Sequence, residues 1–159
     1  MSIKKSIFIV RHGHSDFDAE LDFDRQLTKN GIEAVNKTAI FINRKCAEEQ
    51  IVLELCLCSA AQRTQQTAQL ICQSNEVKNC QSYKELYSTD VSHWLKKISQ
   101  TEEENIIIVG HNPTFSQMVY NLCGHEFHMK PADCALISLE IKPDGFIYPA
   151  TLVESYQNE

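Results

Sequence analysis

Ile7-Phe8-Ile9-Val10-Arg11-His12-Gly13 is four apolar residues followed by a cation, an imidazole and a glycine. Four successive Ile, Phe and Val residues with no polar alternation read as a strand buried on both faces, the pattern of an inner strand in a parallel sheet. The chain then turns at Gly13, a residue free to take backbone angles that others avoid. Arg11 and His12 therefore fall at the carboxyl end of an inner strand, where open α/β sheets place their ligands.

Ile106-Ile107-Ile108-Val109 repeats the pattern and ends in Gly110-His111-Asn112-Pro113. Ile51 to Cys58 reads as another strand, ending in Ser59-Ala60-Ala61-Gln62-Arg63-Thr64. Helices fill the gaps. Thr28 is an N-cap, and Ile32, Val35, Ala39, Ile42 and Cys46 follow at helical spacing to about Glu48. A second helix carries Thr67, Ala68, Leu70 and Ile71 to about Ser74, and a short strand is expected between Asn75 and Lys84. Thr89 or Asp90 caps a third helix, whose Val91, Trp94, Leu95 and Ile98 form a core stripe. Asn112 suits the cap and Pro113 the first turn of a fourth, which carries Met118, Val119 and Leu122 and stops at Gly124. Ala135 to Ile141 and Phe146 to Val153 read as strands joined by a Pro143-Asp144-Gly145 hairpin turn. Parallel strands with crossover helices need helices on both faces. The order predicts an α/β fold: a three-layer α/β/α sandwich, its central sheet mostly parallel with an antiparallel C-terminal edge hairpin, as a single domain over residues 1–159.

Composition narrows the function classes. The 159 residues are 43% hydrophobic and 23% charged, ordinary for a globular protein, and the net charge of −6 argues against a general nucleic-acid binder. No apolar run reaches the length of a membrane span, and no signal peptide is evident, so a cytoplasmic protein is expected. The seven cysteines, Cys46, Cys56, Cys58, Cys72, Cys80, Cys123 and Cys134, are odd in number and scattered in spacing. They read as reduced thiols packed as small hydrophobes, without a disulfide or zinc site. The one local cluster with metal-ligand residue types, Cys123, His125 and His128, matches no closed zinc spacing and reads as a loop after a helix.

Polar groups converge at one place. Arg11 and His12 end the first strand, Arg63 starts the helix after the second, and His111 ends the Ile106–Val109 strand. In a parallel sheet these ends share an edge. Two guanidinium groups and two imidazoles in one crevice call for an anion, and phosphate suits the bidentate fork of arginine. The helix near Pro113 would add a positive dipole end. Histidine accepts phosphoryl groups covalently when one ring nitrogen is unprotonated, and the arginines would help keep His12 neutral. They also supply the charge that magnesium supplies elsewhere, so no metal and no cofactor are expected.

At these residues the chain resembles the histidine phosphatase superfamily, the phosphoglycerate-mutase-like proteins, and within it the small SixA-type phosphohistidine phosphatases. The carrying segments are Val10-Arg11-His12-Gly13-His14-Ser15, Asp22-Phe23-Asp24-Arg25-Gln26-Leu27-Thr28 with Gly31, Ser59-Ala60-Ala61-Gln62-Arg63-Thr64 with Gln66-Thr67-Ala68, and Val109-Gly110-His111-Asn112-Pro113. They stand in family order and span nearly the whole chain. The resemblance implies a phosphoglycerate-mutase-like fold, with His12 the nucleophile and Arg11, Arg63 and His111 binding phosphate. It places Arg25 near the pocket, against phosphate or substrate or in a loop salt bridge to Asp22 or Asp24. Ser15 is expected to donate a hydrogen bond at the pocket edge, with Asn112 also in the phosphate or substrate site. Glu85 resembles the position of a leaving-group acid and reads as an acid, a substrate contact or an exposed glutamate. His14 reads as a rim residue. The chain departs from the family in having Gln26 where a proline is expected, and in the Cys123–Ala132 stretch, which could line the rim.

The first reading is a metal-independent phosphatase acting on phosphohistidine of a partner protein, since a short domain without a lid leaves the pocket open to a protein side chain. The second is a phosphatase of small phosphomonoesters on the same core, with Glu85 as a working acid. The third is a non-catalytic phosphate-binding interaction module.

Overall fold

A computed structural model describes residues 1–158. Ile7, Phe8, Ile9 and Val10 are fully buried in the inner strand β1 (Ile3–Arg11). After β1 come α1 (Lys29–Glu49), β2 (Leu55–Ser59), α2 (Gln62–Ser74), β3 (Cys80–Tyr83), α3 (Val91–Ser99), β4 (Asn105–Gly110), α4 (Thr114–Cys123), β5 (Cys134–Lys142) and β6 (Gly145–Tyr156). One sheet has the order β3-β2-β4-β1-β5-β6. The pairings among β3, β2, β4 and β1 are parallel, and β5 runs antiparallel to both β1 and β6. This is the phosphoglycerate-mutase-like arrangement expected, with the C-terminal hairpin at one edge.

The double-faced apolar strands generate two cores. Ile7, Ile9, Leu57, Ile106 and Ile108 pack on one face against Trp94 and Ile98 of α3 and Phe115 and Met118 of α4. Phe8, Val10, Cys56, Cys58, Ile107 and Val109 pack on the other against α1 and α2. Side chains that alternate across a strand thus each meet a helix layer.

Three local expectations change. β2 begins at Leu55, not Ile51: Val52 lies in solvent, and the Glu54 carboxylate accepts the backbone N–H groups of Glu104 and Asn105. Pro113 stands just ahead of α4, while the Asn112 carboxamide caps the helix by accepting the Ser116 N–H at 3.0 Å. Gly13 does not take a positive φ. Its lack of a side chain serves close packing instead: a Cβ there would lie 2.7 Å from Val35 Cγ2 and 3.1 Å from the Gly31 carbonyl oxygen. Gly31 in turn lies against the His14 carbonyl, which an added Cβ would approach to 2.2 Å. The pair lets the turn after β1 lie directly on α1.

Candidate active site

The register brings the strand ends to one edge. Arg11 pairs with Gly110 across β1 and β4, and Cys58 pairs with Val109 across β2 and β4. The His12 N–H continues the ladder to the Gly110 carbonyl at 3.0 Å. Helix α2 then carries Arg63 in its first turn, so four of the expected residues meet: Arg11, His12, Arg63 and His111.

His12 is oriented by its own turn. Its Nδ1 lies 2.7 Å from the Gly13 carbonyl oxygen. A carbonyl only accepts, so Nδ1 carries the proton and Nε2 keeps its lone pair. Arg63 Nε donates toward that Nε2 at 3.4 Å. Thr67 Oγ1 accepts the Gly13 N–H at 3.0 Å and donates to the Arg63 carbonyl, bracing the turn against α2.

His111 is held by a hydroxyl relay. Thr64 donates to the backbone carbonyls of Ser59 and Ala61, each at 2.8 Å. The Ser59 hydroxyl lies 2.7 Å from Thr64 Oγ1 and 2.7 Å from His111 Nε2. With Arg63 Nη2 facing His111 Nδ1 at 3.5 Å, Nδ1 is the acceptor. His111 Nε2–H therefore donates to Ser59, whose own proton goes to Thr64. The two imidazole centroids are 5.3 Å apart.

Burial lowers the pKa of His12 to about 3, opposed by its hydrogen bond to the Gly13 carbonyl, while His111, Arg63 and Arg11 push it further down. Burial likewise lowers His111 to about 4, with Arg63 adding to the effect. Desolvation, more than the arginines, keeps both rings neutral.

Arg11 donates from Nη1 to the Met129 carbonyl at 2.9 Å, while its Nε and the Ser15 hydroxyl are buried without a hydrogen-bond partner among the described residues. Asn112 Nδ2 donates to the same Met129 carbonyl. Together with its capping oxygen, this makes Asn112 a strut between α4 and the 124–132 segment. That segment meets the site through the Met129 backbone, while His128 borders a separate groove beside Pro113, Ser116 and Tyr120.

A carboxylate sits on Arg63. Asp22 Oδ2 pairs with Arg63 Nη2 at 3.0 Å, and its carbonyl oxygen accepts from Nη1 at 2.7 Å. The Tyr87 hydroxyl donates to the same Oδ2. Arg25 Nη1 holds the other oxygen at 3.0 Å, while its Nε donates to the Asp16 carbonyl and its guanidinium stacks 4.0 Å over Phe17. Arg25 thus takes the loop-bridge alternative and reaches the site through Asp22. The Tyr87 hydrogen bond and the two guanidinium groups hold Asp22 far below the usual carboxylate range. Under this cover His12 is 8% exposed and Arg63 6%, so the crevice is more closed than expected.

Glu85 is exposed and paired with Lys97 of α3 at 3.1 Å. His14 lies at the rim, with Nδ1 3.1 Å from the α1 cap Thr28. The sequence had not singled out Asp22, Tyr87 or the Met129 carbonyl for the site. Asp22 stood among other loop acids, and a backbone carbonyl leaves no signal.

The family model of the histidine phosphatase superfamily (branch 1) matches residues 7–104. No curated protein matches the chain in sequence. Among solved structures, one assigned as phosphohistidine phosphatase SixA from Agrobacterium tumefaciens aligns with TM-score 0.79 and 21% identity, covering 98% of this chain and 99% of that one. The protein histidine phosphatase SixA in complex with tungstate gives 0.76 and 23%, covering 96% of each chain. A mycobacterial glucosyl-3-phosphoglycerate phosphatase in complex with VO3 gives 0.71 and 11%, covering 98% of this chain and 100% of that one.

Proposed function

The chain belongs to the histidine phosphatase superfamily, and from that membership we propose that it hydrolyses phosphohistidine on a partner protein through a phosphorylated His12. The observation that carries the reading is the fixed tautomer of His12: Nδ1 is tied to the Gly13 carbonyl, and the lone pair of Nε2 faces Arg63. A substrate phosphoryl group takes the place of the Asp22 carboxylate on Arg63. His12 Nε2 attacks phosphorus in line, the bond from phosphorus to the substrate imidazole nitrogen breaks, and that nitrogen keeps the electron pair, so that a ring already protonated on its other nitrogen leaves as neutral imidazole. Arg11 and Arg63 hold the equatorial oxygens, with His111 as a further donor once the arriving phosphoryl group puts a proton on its Nδ1, and positioning and charge neutralisation lower the barrier. Water then attacks the phosphorylated His12, breaking its P–N bond and releasing phosphate.

The leaving group favours phosphohistidine over an alkyl phosphate. An alkoxide must be protonated as it departs, whereas imidazole, with a pKa near 6.5, needs far less help. The carboxylate nearest Arg63 is ionised and hence a poor acid. The tungstate and VO3 complexes of the structural relatives hold phosphate-like oxyanions, in keeping with such a site.

The test is trapping. A phosphohistidine protein or a low-molecular-weight phosphoramidate is expected to leave acid-labile phosphate on His12, and His12→Ala is expected to lower turnover by roughly 10⁴ or more while the fold survives. Unchanged activity in that variant refutes the mechanism. Relative rates on phosphohistidine protein, phosphoserine peptide and sugar phosphates decide the substrate class.

A further inference from the structure

The cysteines that look scattered in sequence are not scattered in space. Cys56 on β2, Cys72 in the last turns of α2 and Cys80 at the start of β3 have sulfur atoms within 4.8 Å of one another. Cys58 lies two residues along β2 on the same face, where it pairs with Ser82, two residues beyond Cys80 on β3. The local structure makes this convergence. Cys56 and Cys80 are partners in the parallel register of β2 and β3. After α2 the chain reverses through Glu76, whose φ of 56° is left-handed, and the Val77 N–H returns to the Cys72 carbonyl at 2.9 Å. That reversal sets the end of α2 over the first residues of β3.

We propose that Cys56, Cys72 and Cys80, with Cys58 as a further donor, form a binding site for a thiophilic d10 cation, Zn(II) or Cu(I). Thiolates ligate such an ion at about 2.3 Å, which places the sulfurs about 3.8 Å apart. The three sulfurs need to close by no more than about an ångström to reach it. Thiolate is the donor that selects Zn(II) and Cu(I) over harder ions. The surroundings suit a bound ion. Cys56 and Cys72 are buried against Ala68 and Ile71, which makes a dry wall, whereas Cys80 lies exposed on the outermost strand of the sheet and gives a path of entry. The donors come from β2, α2 and β3, so an ion would tie the edge strand and the end of α2 to the sheet. Cys72 is nine residues beyond Arg63 on α2, about 13 Å along the helix. The site is therefore separate from the His12 crevice and does not depend on the phosphatase reading.

The test is titration of the fully reduced protein under anaerobic conditions. Co(II) serves as the optical stand-in for Zn(II), and Cu(I) is delivered against a competing chelator. Equimolar binding of either ion is expected, with thiolate-to-metal charge-transfer absorption in the Co(II) arm and a rise in the thermal midpoint on Zn(II) or Cu(I) loading. Binding is expected to be lost in Cys80→Ser, at an exposed position that leaves the core intact, and in Cys72→Ser, but kept in Cys123→Ser. Whichever ion binds in equimolar amount with that pattern identifies the occupant. Failure of both ions to bind overturns the proposal. So does binding that survives Cys80→Ser and Cys72→Ser, or a disulfide among these cysteines in protein purified without oxidant.

Discussion

The carboxylate of Asp22 occupies the guanidinium of Arg63, Oδ2 to Nη2 at 3.0 Å, with the Asp22 carbonyl oxygen on Nη1 at 2.7 Å. Two oxygens on one guanidinium edge are what a phosphoryl group would present, so the loop acid competes with the anion for the same fork. Asp22→Asn keeps the shape and removes the charge. Since the carboxylate is half exposed, the pair contributes at most ~1 kcal/mol. The inhibition constant for inorganic phosphate is expected to fall, by up to about fivefold. Weaker phosphate binding in the variant would mean that Asp22 supports the ligand instead of competing with it.

Acid should destabilise the fold through the two buried imidazoles of the crevice, His12 and His111. Both folded pKa values are depressed, to about 3 for His12 and about 4 for His111, against an unfolded value near 6.5. Below about 6.5 the unfolded chain therefore binds more protons than the native one, and stability falls with pH until the folded values are reached. At pH 5 each ring is expected to cost about 2 kcal/mol relative to pH 7. Denaturant unfolding of the wild type and of His12→Asn across this range checks it: the variant should lose less on acidification. A parallel fall for both proteins would remove His12 from the effect.

What was legible in the sequence was what side-chain chemistry writes locally. The Ile7–Val10 and Ile106–Val109 runs announced inner strands because both of their faces meet helices, and Arg11, His12 and His111 followed from standing at their ends. β3 was legible only as a short strand of uncertain bounds, because Cys80-Gln81-Ser82-Tyr83 is a polar edge strand with no buried face of its own. Asp22 was hidden because its partner lies 41 residues away and nothing local sets it apart from the neighbouring acids. The thiol cluster was hidden for the same reason, as it arises from strand register and a helix reversal. At Gly13 the conformational freedom suggested by the sequence is unused, and what matters is the space it leaves for α1.

That space gives a stability test. Gly13→Ala puts a methyl 2.7 Å from Val35 Cγ2, 3.2 Å from Leu27 Cδ2 and 3.1 Å from the Gly31 carbonyl oxygen. Overpacking of this kind costs about 1–3 kcal/mol. Because the nearest atom belongs to a side chain, Val35→Ala in the Gly13→Ala background should recover part of the loss. A double-mutant cycle read by denaturant unfolding would show favourable coupling between the sites. Additive losses would mean that the Gly31 backbone, not Val35, sets the limit.

Substitution of Glu85 tests how the leaving group departs. The carboxylate is exposed and bound by Lys97 Nζ at 3.1 Å, and Lys97 itself lies 3.5 Å from the centre of the Tyr83 ring. A group held this way is available to a substrate only after the ion pair opens. An exposed pair is weak, ~0.2–1 kcal/mol, so opening is no barrier in itself, and the measurement turns on whether the chemistry needs the proton. With phosphohistidine a ring protonated on its other nitrogen departs as neutral imidazole and needs no further proton. Glu85→Gln is then expected to leave kcat/KM on a phosphohistidine protein within about twofold of wild type, the scatter of a surface substitution. An alkyl phosphate needs a proton in the transition state, and loss of a working general acid costs about 10²–10⁴ in rate. If Glu85 is not that acid, alkyl phosphates are poor substrates for both proteins and the substitution changes neither rate. A selective fall of about 10² on alkyl phosphates would instead make Glu85 the acid and the chain a phosphomonoesterase.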